Sequence, residues 1–146
     1  MANYYGFARS NYFRVKDLEK FEKAMEHCCV EIVHPDKRVK SKDGTYRVEK
    51  DERLVGLLSN DEGGWCSGYC DEASGDSVDI DISGIVAEHL LDGEVAIFMS
   101  IGYEKLRYLT GDAVAVNNRG ETVAVDLAQI YRQAATMGKN ITRAEY

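Results

Sequence analysis

The chain has 146 residues, 45% of them hydrophobic and 29% charged, with a single proline; this excludes disordered and collagen-like classes, and the length allows one sizeable core. A formal charge of −7 argues against a surface that grips nucleic acid or acidic membranes throughout, because a net field of that sign repels both. The acidity is local: the 51 residues between Arg53 and Lys105 hold eleven carboxylates and no Lys or Arg, while the first 53 residues carry twelve basic against ten acidic side chains and the last 42 carry six against four.

Alternation of aromatic and polar residues through Tyr5, Phe7 and Arg9, and again through Phe13 and Val15, predicts extended structure with its aromatic face covered. Asp17 stands where an N-cap belongs, and Leu18, Phe21, Ala24, Met25 and Cys28 recur at helical spacing, so an amphipathic helix is expected over about 17–28. Val30, Ile32 and Pro35 are expected to form a short strand. The polar run 36–45, closed by Asp43-Gly44, reads as a hairpin connection into Tyr46 and Val48, and Leu54 to Leu58 is a further strand.

Residues 59–77 are glycine-rich with little apolar periodicity, the signature of a long surface loop. Val78, Ile80 and Ile82 alternate with Asp79 and Asp81, a half-buried strand sending both carboxylates to solvent, and Ser83 is placed to cap a short helix through Ile85, Val86, His89 and Leu90. The run EVAIFMSIG predicts a central strand. Leu106 to Leu109 and then Val114 and Val116 follow, and Asn118-Arg119-Gly120 turns into Val123 and Val125. Asp126 and Gln129 make a capping box for a last helix with a stripe of Leu127, Ile130, Tyr131, Ala134 and Met137 and a Gly138 C-cap, leaving residues 139–146 loosely held. The expected architecture is one α+β domain over residues 1–146, a mostly antiparallel sheet with two to three helices packed on it.

No apolar run approaches the roughly 20 residues that cross a bilayer, and the opening residues lack a charged-then-apolar signal layout, so a cytoplasmic protein with no membrane partner is expected. The four cysteines are then expected as free thiols.

Few patterns suggest chemistry. Asp79, Asp81, Ser83 and Gly84 match the start of a calcium loop, but its twelfth position is Leu90, where a bidentate Glu is required. Cys66 and Cys70 are spaced C-x3-C beside Trp65, and His27, Cys28 and Cys29 supply further donors, yet adjacent helical cysteines diverge by about 100° and cannot easily share one ion. Neither pattern leads us to expect a metal or another cofactor, although zinc at Cys66 and Cys70 stays open. None of the histidines has an activating neighbour in sequence, and no nucleophile elbow or phosphate loop is present, so no catalytic residue is assigned and no enzyme is expected.

Two binding readings remain. Tyr5 and Phe7 interleaved with Arg9, Arg14 and Lys16 are what a single-stranded nucleic-acid module uses to stack bases and neutralise phosphates, although core aromatics explain the same letters. The second reading is the carboxylate field, with Asp61, Glu62, Asp71, Glu72, Asp76, Asp79 and Asp81 as the partner-binding residues. Side chains two apart on a strand lie about 6.5–7 Å apart on one face, close to the phosphate step of a nucleic-acid strand, so such a row can imitate DNA before a cationic groove. Simple solubility is the competing explanation.

The segments NYYGFARSNYFRVKD and GEVAIFMSIGYEKLRYLTGDAVAVN resemble those of small proteins carried by phages and other mobile elements, a population that includes anti-restriction and anti-CRISPR inhibitors. The resemblance carries no functional residue with it. It implies an inhibitor that works by occupying a host defence protein; together with the charge partition, the expected partner is a basic, nucleic-acid-directed defence effector in the host cytoplasm, with no direct binding of nucleic acid. Oligomeric state is left open.

Overall fold

A computed structural model describes residues 3–105 and 107–145. The protein is α+β, with a mostly antiparallel sheet and three helices among these residues. The first strand, β1 (Tyr4–Ser10), breaks at Asn11 and Tyr12 and resumes as β2 (Phe13–Arg14), after which come α1 (Leu18–Ala24) and β3 (Val30–Val33). A ribbon of β4 (Asp36–Lys40) and β5 (Tyr46–Lys50) leads to β6 (Leu54–Ser59), and a second hairpin, β7 (Gly68–Cys70) and β8 (Ser77–Asp79), leads to α2 (Ile82–His89). The long strands β9 (Val95–Glu104) and β10 (Tyr108–Asn117), then β11 (Thr122–Asp126) and α3 (Gln129–Ala134), complete the chain.

The main sheet runs β11-β10-β9-β1-β6, with β2 continuing β1 along β6 and β3 on the other side of β6, every pairing antiparallel. As EVAIFMSIG predicts, β9 is central, with Phe7 opposite Ile101 on one side and Gly111 opposite Ile101 on the other. At the break in the first strand the Asn11 side chain takes over the ladder: its Nδ2 donates to the Val95 carbonyl at 3.0 Å and its Oδ1 accepts from the Ile97 amide at 2.8 Å. Beside it Ser10, 3% exposed, accepts from the Leu57 amide at 2.8 Å and donates to the Asn11 carbonyl at 2.7 Å. Ser10→Ala strands the buried Leu57 amide, and urea unfolding is expected to show a loss of about 1–3 kcal/mol.

One face of the sheet carries the core. Phe13, Val55, Leu57, Ala96, Phe98 and Val116 from the strands meet Phe21, Met25 and Cys28 from α1 and the turns after it, and Val86, Ala87 and Leu90 from α2 and its end. Asp17 caps α1 as its position predicts, accepting from the Lys20 amide at 3.1 Å. The helix stops at Ala24, short of the expected Cys28, because the chain must turn back into β3; residues 25–29 do this in turns ending at Cys29, whose φ is +51°.

Several expectations are corrected. The polar run 36–45 is half strand: β4 occupies Asp36 to Lys40, and the connection proper is Ser41 to Thr45. Among the described residues the ribbon it forms with β5 pairs with no other strand. The glycine-rich stretch 59–77 is folded, because Trp65 packs edge-on to Phe98 at 5.2 Å, Cys66 is buried, and β7 pairs with β8 around a turn in which Gly75 takes φ +74°. Strand β8 ends at Asp79, so Val78 to Ile82 is no continuous strand, and Asp81 rather than Ser83 caps α2.

The last helix is six residues long; the Gln129 amide does donate to Asp126 at 3.0 Å, but none of its residues is buried and Met137 beyond it is 89% exposed. The tail is held more than expected, since the Ala144 amide donates to the Tyr131 hydroxyl at 2.8 Å and the Arg143 guanidinium lies 4.8 Å from that ring. Leu106 of the expected Leu106 to Leu109 strand, and the last residue of the 139–146 tail, lie outside the described residues. Among the described residues no helix is long and apolar enough to cross a membrane.

Candidate functional site

Part of the acidic segment, from Asp61 to Asp76, is organised in two turns by short-range hydrogen bonding, while Glu94 and Glu104 lie elsewhere. After β6, Asp61 closes a turn by accepting from the Gly63 amide at 2.9 Å, and the Glu62 carbonyl accepts from the Gly6 amide at 2.6 Å, which staples this turn to β1. In the β7–β8 turn Asp71 accepts from the Ala73 amide at 2.9 Å, while its own amide donates to the Asp76 carbonyl at 2.8 Å. That hairpin leans on the turns after α1 through His27, which stacks on Tyr69 with ring centres 4.4 Å apart and planes 10° from parallel.

The result is a cleft of about 540 Å³ lined by Glu26, His27, Cys29, Tyr69 and the Cys70, Asp71 and Glu72 run. Asp61 adjoins it, since the amide of its neighbour Asn60 donates to the Cys29 carbonyl at 2.9 Å; the Cys29 thiol pKa is raised, chiefly by the Cys66 thiol and least by the Asp61 charge. Cys28 is also raised, by burial first and then by Cys66. The structure therefore brings Asp61, Asp71 and Glu72 together with Glu26, a member that sequence reading missed because it lies far away in the chain. Asp76 sits across the same hairpin turn; Glu62 belongs to the neighbouring pocket beside Tyr5 and Phe7.

Asp79 is exposed near the foot of β8, but Asp81 does not continue a row with it. Its carboxylate accepts from the Gly84 amide at 3.0 Å and the Ser83 hydroxyl at 2.8 Å, and these bonds, in that order, hold its pKa below the usual Asp value. The expected evenly stepped pair of strand carboxylates is thus replaced by one free carboxylate and one helix cap. Because the folded pKa is depressed, the cap's contribution is present above the unfolded Asp value of about 3.9 and is lost as pH falls through the lower folded value. Asp81→Ala is expected to cost about 1 kcal/mol at neutral pH. Urea titrations should show that deficit shrinking below pH about 3.9, whereas Asp81→Asn keeps a cap without the pH dependence.

Among the described residues none of the seven predicted carboxylates makes a salt bridge. By contrast Glu94 is neutralised by Arg14 at 3.3 Å and Glu104 by Arg107 at 3.1 Å, cations arriving from the two flanking segments. Opposite in sign is the β4–β5 ribbon, where residues 36–50 carry six basic and three acidic side chains. The two stand at opposite ends of β6: the ribbon closes near Leu54, whose carbonyl bonds His34 at 2.8 Å, while the Asn60 amide beyond the other end reaches the Cys29 carbonyl at 2.9 Å.

Cys29 and Cys70 share the cleft with His27, yet among the described residues no group of three or more His, Cys, Asp or Glu is arranged to hold a metal ion. His89 lies edge-on to Phe21 at 5.9 Å.

A second surface was misread in sequence. Tyr5, Phe7 and Arg9 lie on the sheet face away from the helices, and Phe7 is 68% exposed, so these aromatics are not core. Pairing places Tyr103, Ile101 and Met99 of β9 beside them. Leu109 of β10 follows Tyr103, while Ala113 lies between Met99 and Val125, and Ala115 lies opposite Val123. Leu127 folds over Gly111, where a Cβ would come within 3.0 Å of its Cδ1. The face is a continuous apolar sheet surface. No protein-family model matches the chain, and no match was found among curated proteins or among solved structures.

Proposed function

We propose that this chain is a protein-binding inhibitor of a host nucleic-acid-directed defence effector, of the anti-CRISPR or anti-restriction kind, working in the host cytoplasm and needing no cofactor. The observation that supports it is the acidic cleft: Glu26, Asp71 and Glu72 line it, Asp76 lies across the same hairpin turn, and no Lys or Arg is bound to them among the described residues. An anionic surface of this kind attracts a basic groove built for phosphates and competes with the nucleic acid for it. The charges form a cluster rather than an evenly stepped strand row, so the mimicry is of field more than of spacing. The test is plasmid transformation into cells expressing a panel of restriction and CRISPR effectors. Rescue by the wild-type chain and loss of rescue with E26K/E72K/D76K/D79K support the reading; rescue in no strain, or rescue undiminished by the reversals, rejects it.

A second reading has its own observation, the outward presentation of Tyr5, Phe7 and Arg9 on an open sheet, the arrangement on which single-stranded bases stack. A gel shift with single-stranded DNA or RNA at low salt decides it, and no shift removes it.

A further inference from the structure

The apolar sheet face described above is too large and too free of charge to stand in water alone, and we propose that it is covered by the same face of a second copy of this chain. Its nine large side chains, from Tyr5 to Leu127, are each between 42% and 72% exposed. Taking about 200 Å² for a residue of this size, they present on the order of 1,000 Å². Contiguous apolar patches on monomers rarely exceed a few hundred Å², and a stable interface buries about 800 Å² per partner, so the face is of dimer size.

The charge distribution fits a like partner. On the outward rows of β1, β9, β10 and β11 within the paired register, Arg9 is the one charged side chain. Two chains of −7 can therefore approach through this face while their acidic clefts, built from the β7–β8 hairpin and the turns after α1, stay outside the contact. The relief is also self-complementary in kind: Ala113 and Ala115 form a shallow trough on β10 between the larger Met99 on one side and Val123 and Val125 on the other, which a bulky side chain such as Phe7 of the second copy can enter. Antiparallel sheets stack face to face at about 10 Å with strands about 30° apart, and a two-fold axis through the face makes such a contact closed. The stacking reading of Tyr5 and Phe7 engages only the aromatic corner of this surface; Met99, Ile101, Leu109, Val123, Val125 and Leu127 offer neither a π-face nor a charge to nucleic acid.

The test is analytical ultracentrifugation of the full chain with F7D, I101D and F7D/I101D variants, alongside E72K/D76K as a control remote from the face. The wild type and the control are expected to sediment at twice the 16.3 kDa chain mass. The Asp variants are expected to weaken association by on the order of 100-fold or more, since each copy would bury a carboxylate at the centre of the contact. Both positions are solvent-exposed in the single chain, so far-UV circular dichroism should be unchanged; if an Asp variant unfolds, hydrogen exchange of the wild type must still show β9 and β10 amides slowing with protein concentration. A wild type that is monomeric at 100 times the concentration used for the variants, a dimer that survives F7D/I101D, or a monomer that shifts single-stranded DNA through Phe7 overturns the assignment. Because oligomeric state is read without any effector, failure here is separable from failure of the inhibitor reading.

Discussion

Phe21→Ala is expected to lower the free energy of unfolding by about 3–5 kcal/mol, the range for deleting a buried aromatic. Phe21 is fully buried, lies edge-on to Phe13 at 6.0 Å, and is the one buried residue within α1. A seven-residue helix has no independent stability, so this ring is what fastens α1 to the sheet. Its removal leaves a cavity between Phe13 and His89 and loosens the helix whose following turns support the acidic cleft. Against the total of about 5–15 kcal/mol usual for a domain, the loss is large enough to unfold a sizeable fraction of the chain. Urea denaturation checks it, with Phe21→Leu expected to lose less; a loss below about 1 kcal/mol would mean that the core closes without this ring.

The second large effect is electrostatic. E26K/E72K/D76K/D79K replaces four carboxylates that make no side-chain hydrogen bond among the described residues, and it leaves alone Asp61, Asp71 and Asp81, which close turns or cap a helix. Binding to a basic effector should fall by more than about 100-fold, since like charges set against one another cost several kcal/mol. Thermal unfolding should barely move, because exposed charges contribute little to the fold. The wild-type complex should also weaken steeply between about 50 and 500 mM salt, over which the screening length contracts to a few ångströms. Affinity independent of salt and of the reversals would remove the electrostatic mechanism while leaving the fold as described.

Local signals were readable where chemistry acts over a few residues. Asp17 capping α1, the central position of β9 and the turn at Asn118 to Gly120 all follow from neighbours in the chain. Long-range choices were not. Strand alternation in β1 distinguishes the Tyr5, Phe7, Arg9 side from the Gly6, Ala8, Ser10 side, and apolar size alone points to the wrong one as the core. What decides is the docking of α1 and α2 over Ser10, Phe98 and Val116, with small residues beneath other covers: the Tyr4 ring lies where a Cβ of Gly102 would stand. The same limit hid the β7–β8 hairpin, whose glycines masked how Trp65 and Cys66 tie it to the core, and Glu26, which reaches the acidic cleft only through the stacking of His27 on Tyr69.

The placement of the β4–β5 ribbon at one end of β6, with the carboxylate cluster beyond the other, gives the molecule a permanent electrical axis about as long as that six-residue strand, roughly 17 Å at its base. A monopole is only drawn in or pushed away, but a dipole experiences torque. In the field of a positively charged protein the chain would rotate while still separated by solvent, its anionic pole turned forward and its lysine-bearing arm trailing. Productive collisions would then be selected by orientation before any side chain has touched.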